Sequence, residues 1–391
     1  MINYIKLADL LKTNGMEAKQ AQIFVKKLQK DQSEYQCEEQ VQEWAIKRGF
    51  FPGYVKAYGL SDVNYHNYLS HYAYFMLHPL NNHFRIWIND KLTMKYIMCG
   101  MQLQEYLPEY YLYIENDGSY TYLVDAPPSE CLARDGDFLW NLLNEKRCLA
   151  LKPNNESCGG GFIKLQMKNR HACLNDQEIS HDAFCRKIPQ LKNYIVTEYV
   201  KQSDSLQQIW SNSECVLRIV MAKNSRKKPE DMPDWHCAWC YAVFGVEGSG
   251  SVSNEVADAV CVGFDFDTGR LFDAGSQLSN DEGENKIISH PGSGFTWSGF
   301  CLPDWEKSRE IIMKVCMALS SLDWLGMDVI ITQAGLKFCE INSFSSVFLA
   351  QRVCGPALAN ARNRKFFEGK GLNKIDSGEF WEMYKVCKGS A

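Results

Sequence analysis

The stretch GMDVIITQAGLKFCEINSFSS, residues 326–346, reads as two apolar strands around a short turn, and each strand carries one acid. A three-residue loop at 333–335, with glycine last, is a favoured hairpin connection and sets Asp328 opposite Glu340. Residues directly opposite have Cβ atoms about 5 Å apart, and like charges there destabilise a sheet unless a cation lies between them. The hairpin therefore predicts either a cation site or an exposed face on which water solvates both acids.

The same register extends along both strands and brings a third oxygen ligand to the acids. Asn342, two residues after Glu340, points to the same face because side chains alternate along a strand. Two carboxylates and an amide oxygen suit magnesium bridged to phosphates. The other predicted partners are Met327 with Ile341, Val329 with Cys339, and Ile330 with Phe338.

Composition is that of a globular chain of 391 residues, with 46% hydrophobic and 23% charged residues and a net charge of -5. Basic clusters such as KNSRKK at 223–228 are short, so nucleic acid is a poor candidate for a partner. The first residues lack the apolar stretch of a secretory signal, and no apolar run reaches the roughly 18 residues of a membrane span. We therefore expect a cytoplasmic protein without a membrane span, and we leave its oligomeric state open.

The 16 cysteines are scattered through predicted strands and helices, which favours free thiols in a reducing compartment over a disulfide framework. Cys237 and Cys240 form the only close pair considered as a metal site. A zinc site would need a second pair at matching spacing, so a core strand is the favoured interpretation.

The order of predicted elements indicates an α+β architecture, because strands mix with helices without regular alternation. Residues 1–80 have apolar residues at helical spacing and predict a helical N-terminal module. Residues 81–200 hold several strands, with HFRIWIND at 83–90 read as the first, and a glycine-rich loop. Residues 201–391 contain a strand-rich stretch, the acid hairpin and a helical tail.

The segment ALKPNNESCGGGFIKL, residues 150–165, combines a lysine at a strand end with three glycines before another strand. Glycines let backbone N–H groups approach phosphate oxygens, and a lysine adds a positive charge. This segment is not a Walker loop, since no GK[ST] follows. The alternative is a flexible turn. The candidate phosphate ligands here are Lys152, Gly159, Gly160 and Gly161.

Two further strands carry polar residues that suit a nucleotide. YIVTEYV, residues 194–200, ends at Glu198, and Asp204 follows; an apolar slot with nearby acids suits adenine and ribose, although an ordinary strand end is the alternative. Arg218 lies between apolar residues in CVLRIVMA, and a buried arginine needs an anionic partner. That partner is either a structural carboxylate or a transferred phosphate.

Taken in order, DKLTMK, LKP with its glycines, YIVTEYV, LRIV and CEIN resemble the ATP-grasp superfamily over residues 90–342. HPGSGFTWSGFCLPDW and the opening hairpin are most similar to its sugar-transfer-associated branch; a branch associated with teichuronopeptide synthesis is the second choice. The resemblance implies two α+β lobes whose antiparallel sheets clamp ATP.

Carried over to this chain, the resemblance implies particular ligands for ATP and two magnesium ions. Lys152, together with Lys95 or Lys91, would hold the phosphates, and Glu198 would lie at the adenine–ribose edge. Arg218 would face the γ-phosphate or an acyl phosphate. The metal ligands would be Asp328, Glu340 and Asn342.

The chain departs from the family pattern at two positions. Many carboxylate–amine ligases have an arginine two residues before the metal-binding aspartate, where this chain has Gly326, so Arg218 is the candidate substitute. The branch usually has paired glycines after an asparagine, where this chain has Asn254 followed by VADAV. The second departure weakens any prediction for the loop that binds the acceptor.

The function that the resemblance implies is an ATP-dependent carboxylate–amine ligase that forms an amide through an acyl phosphate. The branch suggests a sugar acid and an amino acid or amine as small-molecule substrates, in surface polysaccharide biosynthesis. The alternatives are a kinase-like phosphotransferase acting on a hydroxyl group, and a non-catalytic protein that kept the fold. The third would have lost metal or phosphate ligands, whereas Asp328, Glu340, Asn342 and Lys152 are all present.

Overall fold

A computed structural model describes residues 2–124, 136–155, 160–168, 171–225, 228, 230–248, 259–277 and 286–389. The strands are β1 (Tyr110–Ile114), β2 (Tyr120–Tyr122), β3 (Cys148–Pro153), β4 (Ile163–Lys168), β5 (His171–Leu174), β6 (Gln177–Ile179), β7 (Tyr194–Glu198), β8 (Val216–Asn224), β9 (Asp234–Phe244), β10 (Val260–Gly263), β11 (Ser276–Gln277), β12 (Trp324–Thr332) and β13 (Gly335–Asn342). The helices are α1 (Tyr4–Thr13), α2 (Ala18–Glu34), α3 (Glu39–Lys47), α4 (Gly53–Tyr58), α5 (His71–Met76), α6 (Ile86–Asn89), α7 (Lys91–Gly100), α8 (Gly136–Lys146), α9 (His181–Lys187), α10 (Asp204–Gln207), α11 (Trp305–Ala318), α12 (Phe348–Cys354), α13 (Ala361–Gly369) and α14 (Ser377–Lys388).

The opening hairpin is formed by β12 and β13. Asp328 lies opposite Glu340, and Met327 lies opposite Ile341, as the sequence predicted. Met327 and Ile341 are buried in the core, which leaves the two acids together on the other face of the hairpin.

The turn of this hairpin differs from the prediction. Thr332 pairs with Gly335, so two residues rather than three form the connection. The predicted partners nearer the turn are wrong: Val329 pairs with Phe338, and Ile330 pairs with Lys337. The ladder shifts register between Asp328 and Val329, and Cys339 is the extra residue of a β-bulge. Because a bulge inserts one residue, it restores the Asp328–Glu340 pair that a straight strand with this turn would lose.

The hairpin belongs to a six-stranded antiparallel sheet in the order β11-β10-β9-β8-β12-β13. β8 lies beside β12, and its register sets Arg218 directly opposite Asp328. α11, α6 and α7 cover one face of this sheet, where they share a hydrophobic core with β8, β9, β12 and β13. Cys237 and Cys240 lie within β9, as the sequence predicted, and none of the 14 described cysteines forms a disulfide.

A seven-stranded antiparallel sheet forms the second layer, in the order β2-β1-β7-β3-β4-β5-β6. α8 and α9 pack on one face of it, where their apolar residues share a core with Leu149 and Leu151 of β3. Since side chains alternate along a strand, Lys152 points to the opposite face, away from these helices. Two antiparallel sheets with packed helices make the α+β class that the sequence predicted.

The N-terminal helices do not form a separate core. Residues of α1, α2 and α5 pack with α12, α13 and α14 and with the back face of the six-stranded sheet. Phe24 illustrates this arrangement, because its ring contacts those of Phe51, Tyr72, Phe75 and Phe380. The beginning and the end of the chain are therefore joined through one aromatic core.

The segment HFRIWIND, predicted as a strand, is helical. His83–Arg85 form a 3-10 turn that leads into α6, and Asn82 caps the turn by accepting a hydrogen bond from the Phe84 N–H at 2.9 Å. Phe84, Trp87 and Ile88 pack on the core at helical spacing, which explains why the strand prediction was wrong.

In the described part of the chain, no helix is both long and apolar enough to cross a lipid bilayer.

Candidate functional site

Asp328 and Arg218 form a two-point ion pair on adjacent strands. Arg218 Nη2 lies 3.0 Å from Asp328 Oδ2, and Arg218 Nε donates to Asp328 Oδ1. The side chains are only 22% and 15% exposed. A guanidinium fork matches a carboxylate in this geometry, and partial burial strengthens the attraction. Arg218 thus has the anionic partner that its apolar surroundings require.

Glu340 pairs with Lys91 from the start of α7. Lys91 Nζ lies 3.4 Å from Glu340 Oε1, and the side chains are 9% and 22% exposed. Burial raises the pKa of Glu340, and the neighbouring Asp328 carboxylate raises it further. The charges of Lys91, Lys152 and Arg218 act in the opposite direction. A partly buried acid with a raised pKa is a position where another cation would stabilise the ionised form.

Lys152 brings a third positive charge to the same place. Burial raises the pKa of both the Glu340 carboxyl and the Cys339 thiol, and the positive charge of Lys152 opposes that rise at both groups. β3 supplies Lys152, α7 supplies Lys91 and β8 supplies Arg218, so three separate elements direct cations toward the two hairpin acids.

A cluster of hydrogen bonds links the start of α7 to the end of β3. The Asn154 carbonyl accepts from the Lys91 N–H at 3.2 Å, and Asn154 Oδ1 accepts from the Leu92 N–H at 2.9 Å. Asn154 Nδ2 donates to Asp90, which also caps α7 by accepting from the Thr93 N–H at 2.7 Å. Sequence analysis missed Asp90 and Asn154; the available signal was their position beside the DKLTMK and LKP motifs.

Lys95, the alternative to Lys91 in the sequence, points elsewhere. Its Nζ donates to the Leu123 carbonyl at 3.4 Å and lies 4.8 Å from the centre of the Tyr96 ring. Of the two candidate lysines, Lys91 is the one that the structure brings to the acid pair.

A comparison with known protein families identifies the family to which these residues belong. Residues 78–365, roughly three quarters of the chain, match the family described as sugar-transfer associated ATP-grasp. The chain belongs to this family. The predicted branch and the predicted ATP-grasp fold are confirmed, and the match spans all of the candidate residues named above.

The comparison with solved structures finds synthetases and ligases of low sequence identity. D-alanyl-alanine synthetase A from Vibrio cholerae is 12% identical, with a TM-score of 0.38, covering 74% of this chain and 65% of that chain. N5-carboxyaminoimidazole ribonucleotide synthetase from Thermotoga maritima is 13% identical, with a TM-score of 0.30 and coverages of 69% and 50%. D-alanine–D-alanine ligase from Bacillus anthracis is 11% identical, with a TM-score of 0.35 and coverages of 78% and 69%. This chain thus spans less than two thirds of the first two proteins. No curated protein matches the sequence.

Glu198 and Asp204, the predicted nucleoside ligands of this ATP-grasp chain, contact different parts of the structure. Glu198 ends β7 and accepts from the Glu109 N–H at 3.1 Å. Burial raises the pKa of the Cys339 thiol on β13, and the charge of Glu198 adds to that rise, so Glu198 acts on the strand that carries Glu340. Asp204 begins α10 and accepts from Gln333 Nε2 at 2.7 Å. Asp204 is therefore tied to the turn of the hairpin rather than to the acid pair.

The glycine loop is described only in part. Gly159 and also Asn254 lie outside the described residues. Gly160 is exposed, and Gly161 has a φ of +73° and accepts a hydrogen bond from the Tyr194 hydroxyl at 3.0 Å. A Cβ at Gly161 would lie 2.7 Å from that hydroxyl, so glycine is required there for both conformation and space.

The residues present fit a magnesium–nucleotide ligand. Asp328 and Glu340 offer carboxylate oxygens on one face, and Asn342, half-buried and two residues further along β13, falls on the same face. Magnesium is commonly bound in proteins by one or two carboxylates together with substrate phosphates. Lys91, Lys152 and Arg218 supply the positive charge that phosphates require.

Proposed function

We propose that this protein is an ATP-dependent carboxylate–amine ligase. The observation that carries the proposal is the pairing of Asp328 with Glu340 on the hairpin, with Arg218 and Lys91 each in contact with one acid. Family membership supports ATP as the nucleotide. The proposed substrates are a carboxylate, such as a sugar acid, and an amine, such as an amino acid, in surface polysaccharide biosynthesis.

In the proposed reaction, the γ-phosphoryl group passes to a carboxylate oxygen of the substrate, and ADP leaves. The amine then attacks the acyl carbon, the C–O bond to phosphate breaks, the nitrogen releases one proton to solvent, and the amide and inorganic phosphate leave. Phosphorylation is needed because a carboxylate would otherwise have to expel an oxide. The protein's contribution to such a transfer is positioning and charge stabilisation.

The side chains have distinct proposed roles. Asp328, Glu340 and Asn342 would hold magnesium, which supplies neutralisation of the phosphate charge when bound. Lys91 and Lys152 would hold phosphate oxygens, together with backbone N–H groups of the glycine loop at 159–161. Glu198 would bind the nucleoside. Arg218 would orient Asp328, and its positive charge would act on the transferred phosphoryl group.

The first test is ATP consumption by the full chain with Mg²⁺ in a screen of sugar acids paired with amines. For the active pair, Asp328→Asn and Glu340→Gln are expected to lower turnover by about 100-fold or more, because several kcal/mol of charge stabilisation is lost. Asp267→Asn is a matched control, since Asp267 also pairs with an arginine, Arg309 at 3.0 Å, but is exposed and outside the site. Turnover that survives both acid substitutions would overturn the site assignment.

An isotope experiment separates a ligase from a kinase. With ¹⁸O in the substrate carboxylate, an acyl phosphate mechanism transfers one labelled oxygen to inorganic phosphate, and turnover needs both acid and amine. A kinase acting on a hydroxyl group would need one acceptor and would release no labelled phosphate. The second pattern would replace the ligase proposal while leaving the nucleotide site in place.

The proposal also places the reaction in the cytosol. ATP is available there, and 14 described cysteines without a disulfide suit a reducing compartment.

A further inference from the structure

We propose that Asp137, His181 and Cys185 form a Zn²⁺ site on the outer layer of the seven-stranded lobe. One ligand atom from each side chain lies within 4.8 Å of the other two. Sulfur, imidazole nitrogen and carboxylate oxygen are the three protein ligand types that zinc uses. The proposal is independent of the ligase reaction.

The distances among the three donor atoms approach those of a tetrahedral zinc site. Cys185 Sγ lies 3.5 Å from His181 Nε2 and 3.5 Å from Asp137 Oδ1. Tetrahedral bonds to zinc of about 2.3 Å from sulfur and 2.0 Å from nitrogen or oxygen separate such donors by about 3.5 Å. His181 Nε2 and Asp137 Oδ1 are 2.8 Å apart, an ion-pair distance that would lengthen by about half an ångström around the metal.

The convergence on one histidine nitrogen argues against a nucleophile triad. In a Cys–His–Asp relay, the thiol and the carboxylate use different ring nitrogens, so that the histidine lies between them. Here, Cys185 Sγ and Asp137 Oδ1 both contact His181 Nε2, and they also contact each other. Three donors that meet at one point suit a shared cation rather than a proton relay.

Two helices hold the donors on a rigid frame. His181 and Cys185 are four residues apart on α9 and therefore share one face, while Asp137 lies in the first turn of α8. The helices touch at Gly136, where an added Cβ would lie 2.6 Å from the Cys185 Cα. This close approach of the two backbones brings the carboxylate of one helix to the thiol of the other.

The surroundings of His181 orient its ring. The edge-to-face contact with Trp140 has a centroid separation of 4.7 Å. The other ring nitrogen, Nδ1, lies 3.8 Å from Asp182 Oδ1. A carboxylate on the far nitrogen of a metal-bound histidine fixes its tautomer and raises its basicity. At 3.8 Å the Asp182 carboxylate is beyond hydrogen-bond distance, so it would have to move closer to take this role.

The site is separate from the acid hairpin. α8 and α9 cover the sheet face on which Leu149 and Leu151 lie, whereas Lys152 points to the other face. Three protein ligands leave one coordination position open to water. On binding, the Cys185 thiol releases its proton to solvent and the thiolate coordinates the metal, so affinity rises with pH.

The test is a titration of the reduced full chain with Co²⁺, followed by competition with Zn²⁺. We expect one equivalent to bind with a near-ultraviolet thiolate charge-transfer band. Cys185→Ser should abolish the band and weaken Zn²⁺ binding by at least about tenfold, and His181→Asn should weaken binding to the same degree. Circular dichroism of each variant separates loss of binding from loss of fold, and Asp137→Glu provides a second, conservative variant that should retain the band.

Two matched controls address adventitious binding. Cys301→Ser removes an exposed thiol elsewhere. His171→Asn removes an exposed histidine that lies beside the same sheet and pairs with Glu178 at 2.6 Å. Both should bind Zn²⁺ as the unaltered chain does. A band that persists in Cys185→Ser would show that another thiol binds the metal. Equal affinity of folded Cys185→Ser and the unaltered chain would show that Cys185 is not a ligand. Either result would overturn the proposal.

Discussion

Gly326 is a glycine because of space rather than backbone conformation. A Cβ built on it would lie 1.5 Å from Ser345 Oγ and 2.8 Å from Ser345 Cβ. Ser345 is fully buried, and its Oγ has no hydrogen-bond partner among the described residues. The space beside the position two residues before Asp328, where the family pattern led us to expect an arginine, is thus filled from the neighbouring loop.

Gly326→Ala should therefore destabilise the protein by about 1–3 kcal/mol, the usual cost of overpacking a core. Urea unfolding monitored by tryptophan fluorescence measures the change. Ser345→Gly in the same chain should recover most of the loss, because it removes both clashing atoms, whereas Ser345→Ala leaves the Cβ in place. Equal instability of Gly326→Ala with and without Ser345→Gly would contradict this steric explanation.

Lys91 and Lys95 provide a second test at the level of single residues. Lys91 contacts Glu340, whereas Lys95, one helical turn later in α7, contacts the backbone carbonyl of Leu123. We expect Lys91→Met to weaken binding of Mg²⁺–ATP by about tenfold or more, since a charged contact to phosphate contributes roughly 1.5–3 kcal/mol. Lys95→Met is the matched control and should change the dissociation constant less than threefold in isothermal calorimetry. The reverse order would assign the phosphate to Lys95.

At the scale of elements, the hairpin shows what sequence could and could not predict. The Asp328–Glu340 pair was predicted correctly with the wrong turn, because one extra residue in a loop and one extra residue in a bulge shift the register equally. Strand propensity and turn chemistry do not distinguish these two solutions. The choice depends on packing. Phe338 and Ile341 both lie in the core although they are three positions apart, and side chains alternate along a strand, so one extra residue must be accommodated between them in a bulge.

Residues brought together from distant segments were harder to predict. Asn154 and Asp90 are 64 positions apart, and Asp137 is 48 positions from Cys185. Each contact depends on how a helix docks on a sheet, which local patterns do not encode. The order of motifs was enough for the family and the acid hairpin, since these depend on short segments with strong local preferences.

Gly335 gives a prediction for the turn itself. Its φ is +123°, and a Cβ there would meet no atom within 4 Å, so the cost of a side chain is conformational and not steric. Gly335→Ala should lower the free energy of unfolding by about 1–3 kcal/mol. Unlike Gly326→Ala, no reduction of a neighbouring side chain should rescue it. Urea unfolding of the two alanine variants, alone and with Ser345→Gly, checks this difference.

At the scale of the whole molecule, the aromatic core joins the first helices to the last. Phe24 of α2 packs against Phe380 of α14 at 5.3 Å between ring centroids. Phe24→Ala should cost about 3–5 kcal/mol, the range for buried aromatic residues. We expect the N-terminal helices and the six-stranded sheet to unfold in one transition. Calorimetry and near-ultraviolet circular dichroism would measure this transition. Two separated transitions in the variant would show that the helical segment is an independent unit.

Buried histidines predict how stability depends on pH. Burial lowers the pKa of His78 to about 3 and that of His236 to about 4. Both are neutral in the folded state, so the unfolded chain binds more protons below pH 6.5, and stability falls as pH decreases from 6.5 toward 4. Asp31, whose pKa burial raises to about 6, acts in the opposite direction below that pH.

His236→Gln should isolate one of these contributions. It removes a slope of about 1.4 kcal/mol per pH unit between pH 6.5 and 4, because one proton fewer is taken up on unfolding. The Gln side chain retains a donor toward Asn363 Oδ1, which His236 Nε2 contacts at 3.0 Å. Unfolding free energies at pH 7, 6 and 5 give the slopes, and parallel curves for the two proteins would exclude His236 as the responsible group.

The bulge at Cys339 affects how this chain should be compared with its relatives. With a two-residue turn and a straight strand, the partner of Asp328 would be one residue nearer the turn than Glu340. A relative without the bulge would therefore carry its glutamate one position earlier, and an alignment without gaps would pair that glutamate with Cys339. Placing a one-residue gap inside this strand, although gaps are normally confined to loops, is what keeps equivalent acids in the same column.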